Sequence, residues 1–181
     1  MQIKKIIPVV LLLCIPALFY AYQRGMFLPG WIQWHNEDFR ENIDFDEEEE
    51  RIVLKNKTLY IDDIKMTERE WLVSDVRIVD IDRDDTKEIL LLVWNRNAYG
   101  KYHPFWVEEK KNTFYQHLYI FSYRETGLKP FWMSSALHPN IKTLLIDEES
   151  ILYIEDPDGE QSEWAWKEWG IERIDVTDIP Y

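Results

Sequence analysis

The stretch Val76–Trp94, VRIVDIDRDDTKEILLLVW, places a dense group of acidic residues between two apolar runs. Five carboxylates fall within nine positions: Asp80, Asp82, Asp84, Asp85 and Glu88. So many like charges disfavour one another's ionisation unless a cation or backbone donors compensate them. The apolar runs predict two strands joined by an acidic loop, and the continuous run Ile89–Val93 predicts a central strand buried on both faces.

The spacing of the acidic residues indicates a calcium loop. Positions 1, 3, 5, 7 and 9 of the loop are occupied by Asp80, Asp82, Asp84, the backbone carbonyl of Thr86, and Glu88. A tight turn directs alternating oxygens of this kind at one Ca²⁺. An EF-hand fits poorly, because position 12 is Leu91 where a bidentate Glu is needed. The alternative interpretation is an acidic turn left in solvent.

The segment Val79–Leu91, VDIDRDDTKEILL, resembles the calcium loop of FG-GAP and VCBS repeats. In those repeats a strand, an Asp-rich loop and a second strand open one blade of a β-propeller. The resemblance covers about one blade, residues 74–133, and implies a structural Ca²⁺ in a propeller-like sheet. Those repeats usually carry Gly at the sixth loop position, where this chain has Asp85, a residue type that tolerates positive φ better than most.

Alternating apolar residues predict further strands along the chain. Arg51–Asp62 is typical of a hairpin that turns at residues 55–57, and His117–Met133 is typical of another. A meander follows over residues 141–169. The fold class predicted is therefore mainly β, an antiparallel meander that is propeller-like or sandwich-like, over residues 51–181. Two blade-like sets, 74–133 and 141–169, are too few to close a propeller ring.

Composition restricts the classes of partner. The 181 residues are 46% hydrophobic, which supports one domain with a substantial core. The formal net charge of -13 argues against nucleic acid, because phosphate binding needs a cationic surface. Cys14 is the only cysteine and lies in an apolar leader, so the folded part has neither a disulfide nor thiolate chemistry.

The leader predicts a membrane anchor over residues 1–24. Ile6–Tyr22 is uncharged and apolar, at the short end of what spans a bilayer. A cleaved signal is the alternative, but Phe19 lies two positions before Ala21, where an A-x-A-like cleavage site requires a small residue. Lys4 and Lys5 place the N-terminus in the cytoplasm and the domain outside the cell. The localisation predicted is a single-pass protein of the cell membrane.

Residues 25–50 are predicted to form an acidic juxtamembrane linker. Between Glu37 and Glu50, nine acidic residues face one basic residue. A block of like charges normally stays solvated and extended. A repelling stalk that lifts the domain off anionic lipid is the favoured interpretation, and a docking site for a basic partner is the alternative.

The one long connection, residues 95–116, is rich in aromatic and basic side chains. Loops of this length in compact domains are more often functional than idle. The candidate ligand-binding residues are Tyr99, Tyr102, His103, Phe105, Trp106 and Tyr115. Ring stacking and charge pairing would suit a glycan or a polyanionic wall polymer. Alternatively, the rings cover the open end of the β core.

No sequence signature of an enzyme is present, since the chain lacks a nucleophile elbow, a zincin motif and a phosphate-binding glycine loop. We therefore expect a membrane-anchored extracytoplasmic binding or assembly module of the cell envelope, with a structural calcium loop. One alternative is a hydrolase acting on a cell-wall or glycan polymer. Another is a structural subunit that completes a partner's β-sheet.

Overall fold

A computed structural model describes residues 14–44, 46, 48–96, 113–124 and 127–174. The chain divides into two compact units, Met1–Gly30 and Trp31–Tyr181. In the first unit a helix covers residues 14–23. Among the described residues, no helix has the length and apolar character needed to cross a bilayer. Part of the predicted span, Ile6–Leu13, lies outside those residues, and the anchor stays a prediction.

The described part of the second unit contains twelve strands in three antiparallel sheets of four strands each, which confirms the mainly β prediction. Sheet 1 contains β1 (Glu37–Glu41), β2 (Glu50–Lys55), β3 (Thr58–Ile61) and β4 (Ile64–Lys65). Sheet 2 contains β5 (Leu72–Val79), β6 (Glu88–Asn95), β7 (Tyr115–Arg124) and β8 (Gly127–Met133). Sheet 3 contains β9 (Thr143–Ile146), β10 (Leu152–Glu155), β11 (Gln161–Lys167) and β12 (Gly170–Arg173). Each sheet is a meander, because its strands are adjacent in chain order.

Sheet 2 packs against sheet 1 with one face and against sheet 3 with the other. All eight residues of β6 are buried, which confirms the predicted central strand. Successive side chains of a strand point to opposite faces. Ile89 and Leu91 therefore join the core shared with sheet 1, while Leu90 and Leu92 join the core shared with sheet 3. The uninterrupted apolar run in the sequence follows from this double burial.

Sheet 1 contains the predicted hairpin. Its turn places Asn56 and Lys57 at φ values of 51° and 64°. Two consecutive positive φ values match the right-handed twist of the paired strands, and Asn is among the residues that adopt them most readily. The apolar residues Ile52 and Leu54 face the core from β2 and are fully buried, as their period-2 spacing predicts.

The predicted acidic linker differs from the structure at residues 37–43. Residues 37–41 of this segment form strand β1, which pairs antiparallel with β2. Phe39 packs against the core shared with sheet 2, and Ile43 is buried. On the outer face, Asp38 accepts hydrogen bonds from the Arg51 guanidinium at 2.9 and 2.6 Å. Two buried or partly buried apolar side chains and one ion pair to β2 thus stabilise the folded conformation of this segment. Its charge alone would favour solvation.

Candidate metal centre

The acidic loop, residues 80–87, joins β5 to β6 and is shaped by the carboxylate of Asp80. Its two oxygens accept hydrogen bonds from the amides of Asp84 and Asp85, each at 3.0 Å. Arg83 and Asp85 have positive φ values of 61° and 69°. Asp85 therefore adopts the left-handed conformation that glycine usually provides at the sixth position of such loops. Short side-chain bonds of Asp to nearby amides stabilise turns of this kind.

Three carboxylates converge inside this loop. One oxygen from each of Asp80, Asp82 and Glu88 lies within 4.8 Å of the others. Glu88 is only 2% exposed, because it is the first residue of the buried strand β6. The Oδ1 atom of Asp82 is buried without a hydrogen-bond partner among the described residues. A buried carboxylate oxygen with no donor is costly, and a cation is the group that best compensates it.

The electrostatics of the three carboxylates favour the same conclusion. Burial raises the pKa of Glu88 to about 7, and the charges of Asp82 and Asp84 act in the same direction. The amide of Ile81, which donates to Glu88 Oε2 at 3.1 Å, opposes that rise in pKa. Burial, followed by the charges of Asp84 and Asp80, raises the pKa of Asp82, and the backbone amides of Asp82 and Asp84 oppose that rise. Glu88 and Asp82 therefore resist ionisation in the absence of a positive charge, and oxygen ligands of this type suit Ca²⁺.

The other two predicted ligands lie beside the convergent group. Asp84 is exposed, and its Oδ1 accepts hydrogen bonds from the amide of Thr86 at 2.8 Å and from the Thr86 hydroxyl. These bonds lower the pKa of Asp84. The Thr86 hydroxyl also lies 3.3 Å from Glu88 Oε1. The structure therefore brings together three of the five predicted residues and uses Asp84 and Thr86 to fix the turn next to them.

The acidic loop contacts both neighbouring sheets. The hydroxyl of Ser150, in the turn between β9 and β10, donates to the Asp80 carbonyl at 2.6 Å. The Arg83 guanidinium donates to the carbonyl of Glu149 in the same turn. On the opposite side, Lys87 pairs with Glu41 at the end of β1. The conformation of this loop is thus coupled to sheets 1 and 3 as well as to its own sheet.

A second acidic group, in the loop between β1 and β2, was missed by sequence reasoning. Asp44, Asp46 and Glu50 each offer an oxygen within 4.8 Å of the others. The segments Ile43–Glu50, IDFDEEEE, and Ile81–Glu88, IDRDDTKE, share the pattern I-D-x-D-x-x-x-E. This internal repeat was the available signal, but the surrounding block of acidic residues obscured it. In both loops the final Glu accepts a hydrogen bond from the Ile amide, at 3.0 and 3.1 Å.

The candidate ligand-binding residues of the long connection mostly lie outside the described part of the chain. They are Tyr99, Tyr102, His103, Phe105 and Trp106. Tyr115 is the first residue of β7, where it is half-buried and pairs with Asn95. The predicted aromatic binding loop therefore stays a prediction.

Comparison with known proteins adds no family to this description. No family model matches the chain, and neither a curated protein nor a solved structure matches it. The resemblance to FG-GAP and VCBS repeats accordingly rests on the residues of the acidic loop.

Proposed function

We propose that the protein is a membrane-anchored extracytoplasmic module of the cell envelope that works by binding or assembly. One structural Ca²⁺ stabilises its β unit. The observation that carries the calcium proposal is the partnerless buried Oδ1 of Asp82, between Asp80 and Glu88. Outside the cell, calcium loops with dissociation constants of about 10⁻⁴ to 10⁻³ M are filled.

In this proposal the ion is held by Asp80, Asp82 and Glu88, with Asp84 and the Thr86 carbonyl as the further ligands that the spacing predicts. Its two positive charges compensate carboxylates that otherwise repel one another. The ion ties the end of β5 to the start of β6. Because the loop contacts Glu41 on one side and Ser150 on the other, ordering it stabilises the packing of all three sheets.

The sheet arrangement supports a propeller-like interpretation of the fold. Three consecutive four-stranded meanders pack face to face, as adjacent blades do. A closed propeller ring has at least four blades. Three such sheets leave two outer faces, which is compatible with a module that binds or assembles with other molecules.

Thermal unfolding of the full-length chain in detergent tests the calcium proposal. At a Ca²⁺ concentration ten times the dissociation constant, binding adds about 1.4 kcal/mol to the free energy of unfolding. In a chain of this size each kcal/mol raises the melting temperature by roughly 2–4 °C. We therefore expect a higher melting temperature in Ca²⁺ than in EDTA. The Asp82→Asn variant should lose that rise. Asp85→Asn, which removes the same charge from an exposed side chain, should keep it.

Two results would contradict the proposal. One is an equal melting temperature for the wild type in Ca²⁺ and in EDTA. The other is an equal loss of the calcium effect in Asp82→Asn and Asp85→Asn, because general charge repulsion in the loop would then be sufficient to explain the response. Mg²⁺ at the same concentration serves as the ionic-strength control, since its smaller octahedral shell suits an all-protein loop poorly.

A further inference from the structure

The two faces of sheet 3 differ in what they contact. Leu144, Leu152 and Ile154 pack into the core shared with sheet 2. The alternate residues point the other way, and among the described residues no sheet packs on them. On that outer face Leu145 is 61% exposed and Tyr153 is 39% exposed. An antiparallel sheet with one solvated face usually carries polar residues there, so these two side chains are notable.

A groove runs across this outer face. It consists of two adjoining depressions of about 510 and 410 Å³ that share Tyr153, Glu163 and Ile174. Tyr153 of β10 lies directly opposite Glu163 of β11, and Leu145 of β9 lies on its other side. Side chains in such cross-strand rows are direct neighbours. The shape, two depressions separated by a Tyr–Glu ridge, fits an extended chain better than a compact small molecule.

The charges in the groove are unequally compensated. Asp147 is satisfied, since its Oδ1 accepts the amides of Glu149 and Ile151 at 2.9 Å and its Oδ2 accepts the Tyr153 hydroxyl at 3.0 Å. The Arg83 guanidinium donates to the Glu149 carbonyl. Within the described part of the chain, the half-buried carboxylate of Glu163 has neither a hydrogen bond nor an ion pair. Two further cations line the groove: Lys167 in the first depression, and Arg173 in the second, where it pairs with Glu160 at 3.6 Å. Glu163 therefore presents a carboxylate without a direct ion pair beside an aromatic ring.

We propose that this groove docks an extended basic peptide segment of a partner protein, with a Lys or Arg side chain resting against both Glu163 and Tyr153. The Glu163 carboxylate accepts charge-assisted hydrogen bonds from the cation, and the Tyr153 ring adds a cation–π contact. The bond from Tyr153 to Asp147 fixes the ring, so little side-chain entropy is lost on binding. Residues alternate along an extended peptide, so every second side chain of the segment faces the groove.

This inference deepens the binding role proposed above and rests on that role. The first depression also reaches Asp82 and Arg83 of the acidic loop, so the peptide is titrated at one fixed Ca²⁺ concentration. The test uses the full-length chain in detergent and a fluorescein-labelled peptide of alternating Lys and Thr, with fluorescence anisotropy as the measurement. The control peptide carries Gln in place of every Lys. We expect the Lys peptide to bind and the Gln peptide to bind at least about tenfold more weakly, because a charge-assisted bond is lost.

Matched variants separate the groove from the general acidity of the protein, whose net charge of -13 attracts any polycation. Glu163→Gln should raise the Kd of the Lys peptide about tenfold. Tyr153→Ala should raise it about threefold through the lost ring contact. Glu70→Gln removes the same charge from an exposed position between β4 and β5, away from sheet 3, and should change Kd by less than about twofold.

An equal change in Kd for Glu163→Gln and Glu70→Gln would overturn the inference, because attraction to net charge would then account for binding. A second contradicting result has two parts: a neutral oligosaccharide binds and Tyr153→Ala abolishes that binding, while Glu163→Gln leaves the peptide affinity unchanged. The partner would then be a glycan and not a basic peptide. The thermal shift in Ca²⁺, measured on the same variants, keeps the two proposals distinguishable. A lost calcium response with intact peptide selectivity would contradict only the calcium site.

Discussion

The two acidic loops of the molecule have the same framework and different chemistry. Each joins the first strand of a sheet to the second, and each ends in a buried Glu whose Oε2 accepts the amide of a buried Ile. The first loop begins with Asn42, whose side-chain amide donates to the Asp46 carbonyl. The second begins with Asp80, whose carboxylate accepts two backbone amides. The turn is therefore built by hydrogen bonds that need no ion.

The difference lies in what remains uncompensated. In the first loop, Asp44 Oδ1 accepts the amide of Asp46 at 3.3 Å. In the second loop the corresponding residue, Asp82, keeps a buried oxygen without a partner among the described residues. One additional carboxylate, Asp80, and one buried oxygen without a partner among the described residues thus distinguish the second loop from the first. Both loops that carry the pattern I-D-x-D-x-x-x-E contain the same Glu–Ile bond, whereas the proposed ion depends on Asp80 and on the buried oxygen of Asp82.

The largest expected effect concerns the protonation of Glu88. Its pKa rises from 4.5 to about 7 in the folded state, so its stabilising contribution is complete below pH 4.5 and is lost as pH rises through 7. A difference of about 2.5 pH units at 1.36 kcal/mol each corresponds to roughly 3 kcal/mol. Denaturant unfolding in EDTA measures this effect. Between pH 4.5 and 8 the free energy of unfolding of the wild type should fall by roughly 3 kcal/mol more than that of Glu88→Gln.

The first loop supplies the control for that measurement. Glu50→Gln is the equivalent change at a Glu that is 7% exposed and makes the equivalent bond to Ile43. It should retain the wild-type pH dependence, because Glu88 is still present. Saturating Ca²⁺ should reduce the pH-dependent loss in the wild type, since the ion favours the carboxylate form. Parallel pH profiles for the wild type and Glu88→Gln would show that Glu88 is not the group responsible.

A second prediction converts one loop into the other. Asn42→Asp gives the first loop the carboxylate found at Asp80, and we expect isothermal titration calorimetry to change from one Ca²⁺ bound to two, because ligand charge sets calcium affinity. The reverse variant, Asp80→Asn, should weaken the site of the second loop by about tenfold, equivalent to 1.4 kcal/mol. Unchanged stoichiometry in Asn42→Asp, with Asp80→Asn still impaired, would show that the first loop lacks more than this carboxylate.

Some of this could be predicted from the sequence and some could not. The apolar run Ile89–Val93 predicted correctly that this strand is buried on both faces, because an uninterrupted apolar run is a local signal. Strand β1 was missed, since its charges outweigh Phe39 and Ile43 in any short window. Counting positions identified the acidic loop, but it could not show which carboxylates point into the loop. The carboxylate of Asp84 instead accepts a hydrogen bond from the amide of Thr86. The groove at Tyr153 and Glu163 depends on the register between β10 and β11, and that register could not be predicted from the pattern of residues in either strand.

A third, smaller effect is expected at the residue that fixes the second turn. Thr86→Val removes the hydroxyl that donates to Asp84 and lies 3.3 Å from Glu88 Oε1, and should cost about 1 kcal/mol of unfolding free energy. Glu48 occupies the same position in the first loop, where its backbone amide bonds to Asp46. Glu48→Ala leaves that amide in place and should therefore change stability by less than about 0.5 kcal/mol. Equal costs for both variants in urea unfolding would contradict a special role for the Thr86 hydroxyl.

The smallest expected effect tests the ion pair that joins the two regions directly. Lys87 of the second loop pairs with Glu41 at the edge of the first, and both side chains are more than a third exposed. Exposed pairs of this kind contribute about 0.2–1 kcal/mol and are screened by salt. A double-mutant cycle of Lys87→Ala and Glu41→Ala should give a coupling energy in that range at low salt and close to zero in molar NaCl. A coupling energy that survives high salt would mean that the pair is shielded from solvent, which would contradict the exposure of both side chains and make Lys87–Glu41 a structural link between the two regions rather than a surface contact.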